Sequence, residues 1–128
     1  HLGIMPTIPN TPDQWGRPRF DAEPLPPATY PRILALAKFP NVYIKISGEY
    51  AFSKEPWPYG DMQPMVAEIY RAYGADRMMW CTDSPWIAVE PSYQKLLDLL
   101  DIHLPDISAG EKEMIMGGTA LKIWFKNR

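Results

Sequence analysis

Two short β-rich runs with an amphipathic helical stretch between them constrain this chain more than any other feature. The first, Val42-Tyr43-Ile44-Lys45-Ile46-Ser47, is built of β-branched and aromatic residues and is closed by Gly48. The second, Arg77-Met78-Met79-Trp80-Cys81, is apolar and ends at Thr82-Asp83-Ser84-Pro85. Between them, residues 62–73 place Met65, Ile69 and Ala72 or Tyr73 on one stripe, and Gly74 supplies the stop. Helical spacing also marks residues 30–38, 92–100, 108–116 and 119–125, with Ser108 and Glu111 forming a capping box. Helices alternating with strands predict an α/β fold, in which parallel strands are covered by helices. Two strands, or three if His1 ends another, do not close a sheet, so the chain reads as incomplete.

Proline divides the chain unevenly. Of its 15 prolines, 12 precede residue 65, so the front half is expected to be rich in long loops. From Pro6 to Pro31 almost nothing is periodic, and a connection that long is usually functional or disordered. Trp15, Arg17, Arg19 and Phe20 favour an ordered loop facing a ligand. A further loop is expected after Gly48, carrying Tyr50, Phe52, Trp57 and Tyr59.

The bulk numbers narrow the function classes. With 128 residues, 46% hydrophobic and 22% charged, the chain can bury one core. A net charge of −2 gives no footprint for nucleic acid or an anionic membrane. No apolar run approaches the ~20 residues of a membrane helix. The single cysteine, Cys81, builds no disulfide framework, and a cytoplasmic location is the default expectation.

Alternation places Met79, Cys81 and Asp83 on one strand face, and Tyr43, Lys45 and Ser47 on one face of the other. A carboxylate closing a short apolar strand can take a proton from water or ligate a divalent metal. It can equally cap the following turn. Lys45 and Ser47 suit either a substrate carboxylate or a buried acid. Arg17 and Arg19 could hold a substrate carboxylate bidentately or remain solvated. Trp15, Tyr50, Trp57 and Trp86 could wall an apolar pocket or pack loops on one another. His103 reads as a surface or capping residue near a helix end.

Four stretches, in order, resemble the C-terminal part of the amidohydrolase-related family, TIM barrels of the amidohydrolase superfamily. They are His1-Leu2-Gly3, the run Phe39 to Gly48, the run Gly74 to Trp86, and Gly117-Gly118-Thr119-Ala120. Cys81 stands where relatives usually carry Gly. The resemblance implies a partial (β/α)8 barrel, with residues 1–128 forming the C-terminal portion of a domain that needs about 250 residues. It also implies an enzyme acting on a small carboxylated lactone, ester or amide, with Asp83 as general base and His1 as a second catalytic group. Lys45, Ser47, Arg17, Arg19 and Trp86 are the expected substrate contacts. Asp83 and His1 are the implied ligands of a divalent metal, zinc above all, although the family includes members that need none. A zinc-dependent decarboxylase and a non-catalytic piece needing a partner chain are the alternatives. The expected partner is a small-molecule substrate rather than nucleic acid or membrane, and the resemblance allows a homo-oligomer in the intact protein.

Overall fold

The computed structural model describes residues 2–88 and 91–125. No helix or strand precedes Tyr30 among them, as the prolines predict. Carboxylates instead order this long segment. The fully buried Glu23 accepts hydrogen bonds from the backbone N–H of Thr7 (2.8 Å) and Ile8 (3.2 Å) and from the Thr7 hydroxyl. Asp13 folds the next turn on itself, accepting from the N–H groups of Trp15 and Arg17.

Helix α1 (Tyr30–Leu36) carries Pro31 in its first turn, a position that suits proline because its absent N–H would be unpaired there anyway. Strand β1 (Ile44–Ile46) then leads through Gly48 into a four-residue helix, α2 (Glu49–Phe52). The predicted loop is therefore partly helical. Gly48 takes φ +76°, which turns the chain, and all four α2 side chains are buried, so packing stabilises a turn too short to persist alone. Helix α3 (Gln63–Tyr73) buries Met65, Val66, Ile69 and Tyr73 and ends at Gly74 with φ +74°. Strand β2 (Met78–Trp80) follows.

The two strands form a small, unclosed parallel sheet, with Ile44 opposite Met78, Lys45 opposite Met79 and Ile46 opposite Trp80. Cys81 N–H extends the ladder by donating to the Ile46 carbonyl, while Leu2 N–H donates to the Lys45 carbonyl. Successive carbonyls of a strand point to opposite edges, so Leu2 runs beside β1 on the side away from β2. Arg77 locks the entrance to β2. Its guanidinium donates to the carbonyls of Ala37 (2.7 Å) and Phe39 (3.1 Å) after α1, and of Ala72 and Tyr73 in α3.

Helix α4 (Tyr93–His103) runs one turn beyond the predicted 92–100, because Leu96, Leu100 and His103 continue a single buried face. His103 is thus a core residue rather than a surface cap: it is 2% exposed, and its Nε2 lies 2.8 Å from the Pro58 carbonyl. Helix α5 (Ala109–Glu113) opens on the predicted Ser108–Glu111 capping box. The predicted α-helix over 108–116 instead widens into a π-helical segment (Met114–Gly118), followed by α6 (Thr119–Trp124). Gly117 and Gly118 are weak helix formers, and a Cβ on Gly118 would stand 2.9 Å from Met114 Sδ. Among the described residues no helix is long and apolar enough to cross a membrane.

Candidate active site

Parallel strands deliver the residues that follow them to one rim of the sheet. Asp83 lies three residues beyond Trp80 in the left-handed region (φ +56°), which aspartate tolerates better than most residues. Its carbonyl accepts from Trp86 N–H at 3.1 Å, so the turn Asp83-Ser84-Pro85-Trp86 is closed by its own backbone. The half-buried Asp83 carboxylate reaches across to β1's exit, where the Tyr50 hydroxyl donates to Oδ2 at 2.7 Å. Burial, the hydrogen bond to Asp83 and the Asp83 charge push the Tyr50 hydroxyl well above its ordinary range, so it remains a donor.

Arg17 closes the other side of Tyr50. It is 6% exposed, its guanidinium carbon sits 5.2 Å from the Tyr50 ring centroid, and its Nε donates to Asp13 Oδ2 at 2.6 Å. Arg19 is placed differently. It pairs with Asp21 at 2.7 Å and donates to the carbonyls of Tyr50 and Ser53, fastening the long loop to α2. The arrangement thus brings Asp83, Tyr50 and Arg17 together, with Arg19 behind them as a staple.

Among the other expected contacts, Ser47 is buried at β1's exit and Trp86 is half-buried against the core. Lys45 is exposed, its ammonium 5.9 Å from the Trp124 ring centroid on α6. His1 lies outside the described residues. Trp15 is 60% exposed, while Trp57 Nε1 donates to the Lys95 carbonyl at 3.3 Å.

Sequence reasoning passed over Glu49. This carboxyl is 3% exposed and lines a cavity of about 10 Å³ with Trp80, Cys81 and His103. Burial raises it to about 7, and the charge of Asp83 adds to the rise. Burial likewise raises the Cys81 thiol and lowers the His103 imidazole, so the cavity favours uncharged forms. The available signal was positional: Glu49 follows Ile46 by three residues, as Asp83 follows its partner Trp80.

A zinc site needs three or four protein ligands around one point. Among the described residues, no group of three or more His, Cys, Asp or Glu side chains could hold a metal ion. These residues alone do not fit zinc, and Asp83 contributes a single carboxylate.

A helix-covered parallel sheet carrying an acidic group at its exit rim defines an α/β scaffold of the amidohydrolase type. The chain belongs to the family whose model is described as Amidohydrolase, which matches residues 14–126. It is 28% identical over 99 residues to a D-galactarolactone isomerase of Agrobacterium fabrum, a match covering 71% of this chain and 34% of that protein. Two solved structures share the fold. One is an amidohydrolase from Burkholderia multivorans with bound zinc, at TM-score 0.64 and 23% identity over 73% of this chain and 35% of the other. The second, from Pseudomonas putida and named as a 2-pyrone-4,6-dicarboxylic acid hydrolase, gives TM-score 0.63 at 22% identity, covering 77% and 36%. The chain therefore spans about a third of the length of each relative.

Proposed function

We propose that the protein is a hydrolase of the amidohydrolase-related type, cleaving a small carboxylated lactone, ester or amide with Asp83 as general base. In this reading residues 1–128 are the C-terminal portion of a (β/α)8 barrel. The contact that carries it is Tyr50 to Asp83: a buried, protonated phenol holding a carboxylate at the rim where parallel barrels place their chemistry.

The chemistry follows from that pair. Asp83 takes a proton from a water poised against the substrate carbonyl, and the Tyr50 donor fixes the carboxylate's orientation. Arg17, with Lys45 farther along the sheet, supplies positive charge for a substrate carboxylate, while Ser47 and Trp86 border the same rim. Arg19 contributes by tying the loop that bears Arg17 to α2. His1 is read from the sequence as a second group acting on the carbonyl. The relatives' names support small organic acids and their lactones as the substrate class.

The test is hydrolysis of a panel of lactones and carboxylated esters by the full-length protein, with zinc added and after chelation. Asp83→Asn is expected to lower kcat by about a hundred- to ten-thousand-fold, the range of general-base contributions. Full activity in Asp83→Asn would overturn the reading. Release of carbon dioxide instead of a hydrolysis product would make the enzyme a decarboxylase.

A further inference from the structure

Each arginine of the long loop spends its Nε on an acid of the same loop. Arg19 Nε donates to Asp21 at 3.0 Å, and Arg17 Nε donates to Asp13 at 2.6 Å. Asp13 does more than pair. Its Oδ1 accepts from the backbone N–H groups of Trp15 (2.8 Å) and Arg17 (3.0 Å), while its Oδ2 takes the guanidinium. Its own backbone closes the same turn, donating to the Arg17 carbonyl at 3.1 Å and accepting from Gly16 N–H at 2.9 Å. One carboxylate therefore fixes both the backbone from which Arg17 springs and one edge of its guanidinium. The side chain so held lies against the Tyr50 ring, its guanidinium carbon 5.2 Å from the centroid.

Tyr50 needs such a restraint. It stands on α2, only four residues long, and its hydroxyl must cross to the exit of the other strand to reach Asp83. Arg19 Nη1 holds the backbone end of Tyr50, donating to its carbonyl at 2.5 Å. Arg17 acts on the ring between carbonyl and hydroxyl, where a cation over the electron-rich face favours one tilt of the aromatic plane. The rest of the loop docks on the same helix: Phe20 stacks on Phe52 at 5.1 Å, and its N–H donates to the Ala51 carbonyl.

We propose that Asp13 is a positioning residue for the Tyr50–Asp83 pair, holding Arg17 against the Tyr50 ring so that the phenol stays aimed at Asp83. The proposal rests on the reading of Asp83 as the general base and deepens it. Arg17 is 6% exposed, so water competes little with Asp13 for the guanidinium edge. Without that anchor Arg17 would spring from a loop that no helix or strand supports, and the ring would lose its lateral support.

Asp13→Asn is the discriminating change. Its amide oxygen can still accept the two backbone N–H groups and keep the turn, but its NH2 then faces Arg17 Nε, donor against donor. The experiment uses the full-length protein carrying tyrosine labelled at the hydroxyl-bearing ring carbon, with the Tyr50 resonance assigned by its loss in Tyr50→Phe. In Asp13→Asn that resonance is expected to move toward its position in Asp83→Ala, where the acceptor is gone. In parallel, Asp13→Asn is expected to lower kcat by about tenfold, and to lower it no further in a protein already carrying Tyr50→Phe. A Tyr50 resonance unmoved by Asp13→Asn overturns the proposal. So does an equal fall in kcat with and without the Tyr50 hydroxyl, which would make Asp13 a folding residue of the loop alone. Absence of hydrolysis by the unsubstituted protein would sink the general-base reading alone, because the resonance reports the Tyr50 contact without turnover.

Discussion

Replacing Glu49 by Gln should make the protein more stable in alkali while doing little for it in acid. The carboxyl is raised from its ordinary 4.5 to about 7, chiefly because burial penalises its charge. Between those pH values the native state binds a proton that the unfolded chain has released. Stability contributed by this group is therefore fully present below about pH 4.5 and is lost as pH rises through about 7. At about 1.4 kcal/mol per pH unit the loss amounts to about 3 kcal/mol. The residue is essentially enclosed, so solvent screening takes little from that figure. Glutamine has nearly the same shape and no charge to desolvate, although its amide leaves polar hydrogens in an apolar cavity. The measured quantity is the difference in unfolding free energy between Glu49→Gln and the parent, from urea titrations followed by tryptophan fluorescence. Subtracting one protein from the other cancels other titrating groups, including His103, whose lowered imidazole pKa makes stability rise with pH over part of the same window. The difference should grow by about 3 kcal/mol between about pH 4 and about pH 8.5. A flat difference would mean that Glu49 is ionised in the native state and that the cavity does not act on it as argued.

Three further outcomes follow from other parts of the molecule. Arg77→Met, which removes the guanidinium from four backbone carbonyls at the ends of α1 and α3, should cost about 2–4 kcal/mol in urea unfolding, and Lys at the same position should recover only part of it. Ile69→Ala, at a fully buried position on α3, should cost about 2–5 kcal/mol, whereas Leu121→Ala on the exposed face of α6 should fall within about 0.5 kcal/mol of the parent. Glu111 is held near about 2 by its hydrogen bonds from the Tyr70 hydroxyl and from Ser108, so its contribution is present above about pH 4.5 and lost as pH falls through about 2; Glu111→Gln should flatten that acid limb in a melting-temperature series.

The elements with strong local signals are legible in the sequence. The 3.6-residue spacing of Met65, Ile69 and Tyr73 and the stop at Gly74 located α3 within a residue, and Ser108 with Glu111 located the start of α5. Both β-rich runs form strands, each of three residues, Ile44–Ile46 and Met78–Trp80. The errors arose where packing overrides local preference. Glu49-Tyr50-Ala51-Phe52 lies between Gly and Pro signals and reads as loop, yet four side chains buried together make it a helical turn. His103 carries a polar label, but its place on the Leu96–Leu100 face commits it to the core. The π-helical widening at Met114–Gly118 depends on how Met114 packs across Gly118, which no spacing rule reports.

The sequence by itself determined the α/β order, the parallel relation of the strands, the family, and the position of Asp83 at a strand exit, because each depends on residue spacing along the chain. Tertiary structure alone decided which groups surround that carboxylate. Tyr50 reaches Asp83 across 33 residues, Arg17 reaches Tyr50 from a loop held by Asp13 and Glu23, and Glu49 turns inward while its counterpart stays at the mouth. Such contacts depend on the register between strands and on which side chains water can reach, and those are fixed only when the separate segments pack.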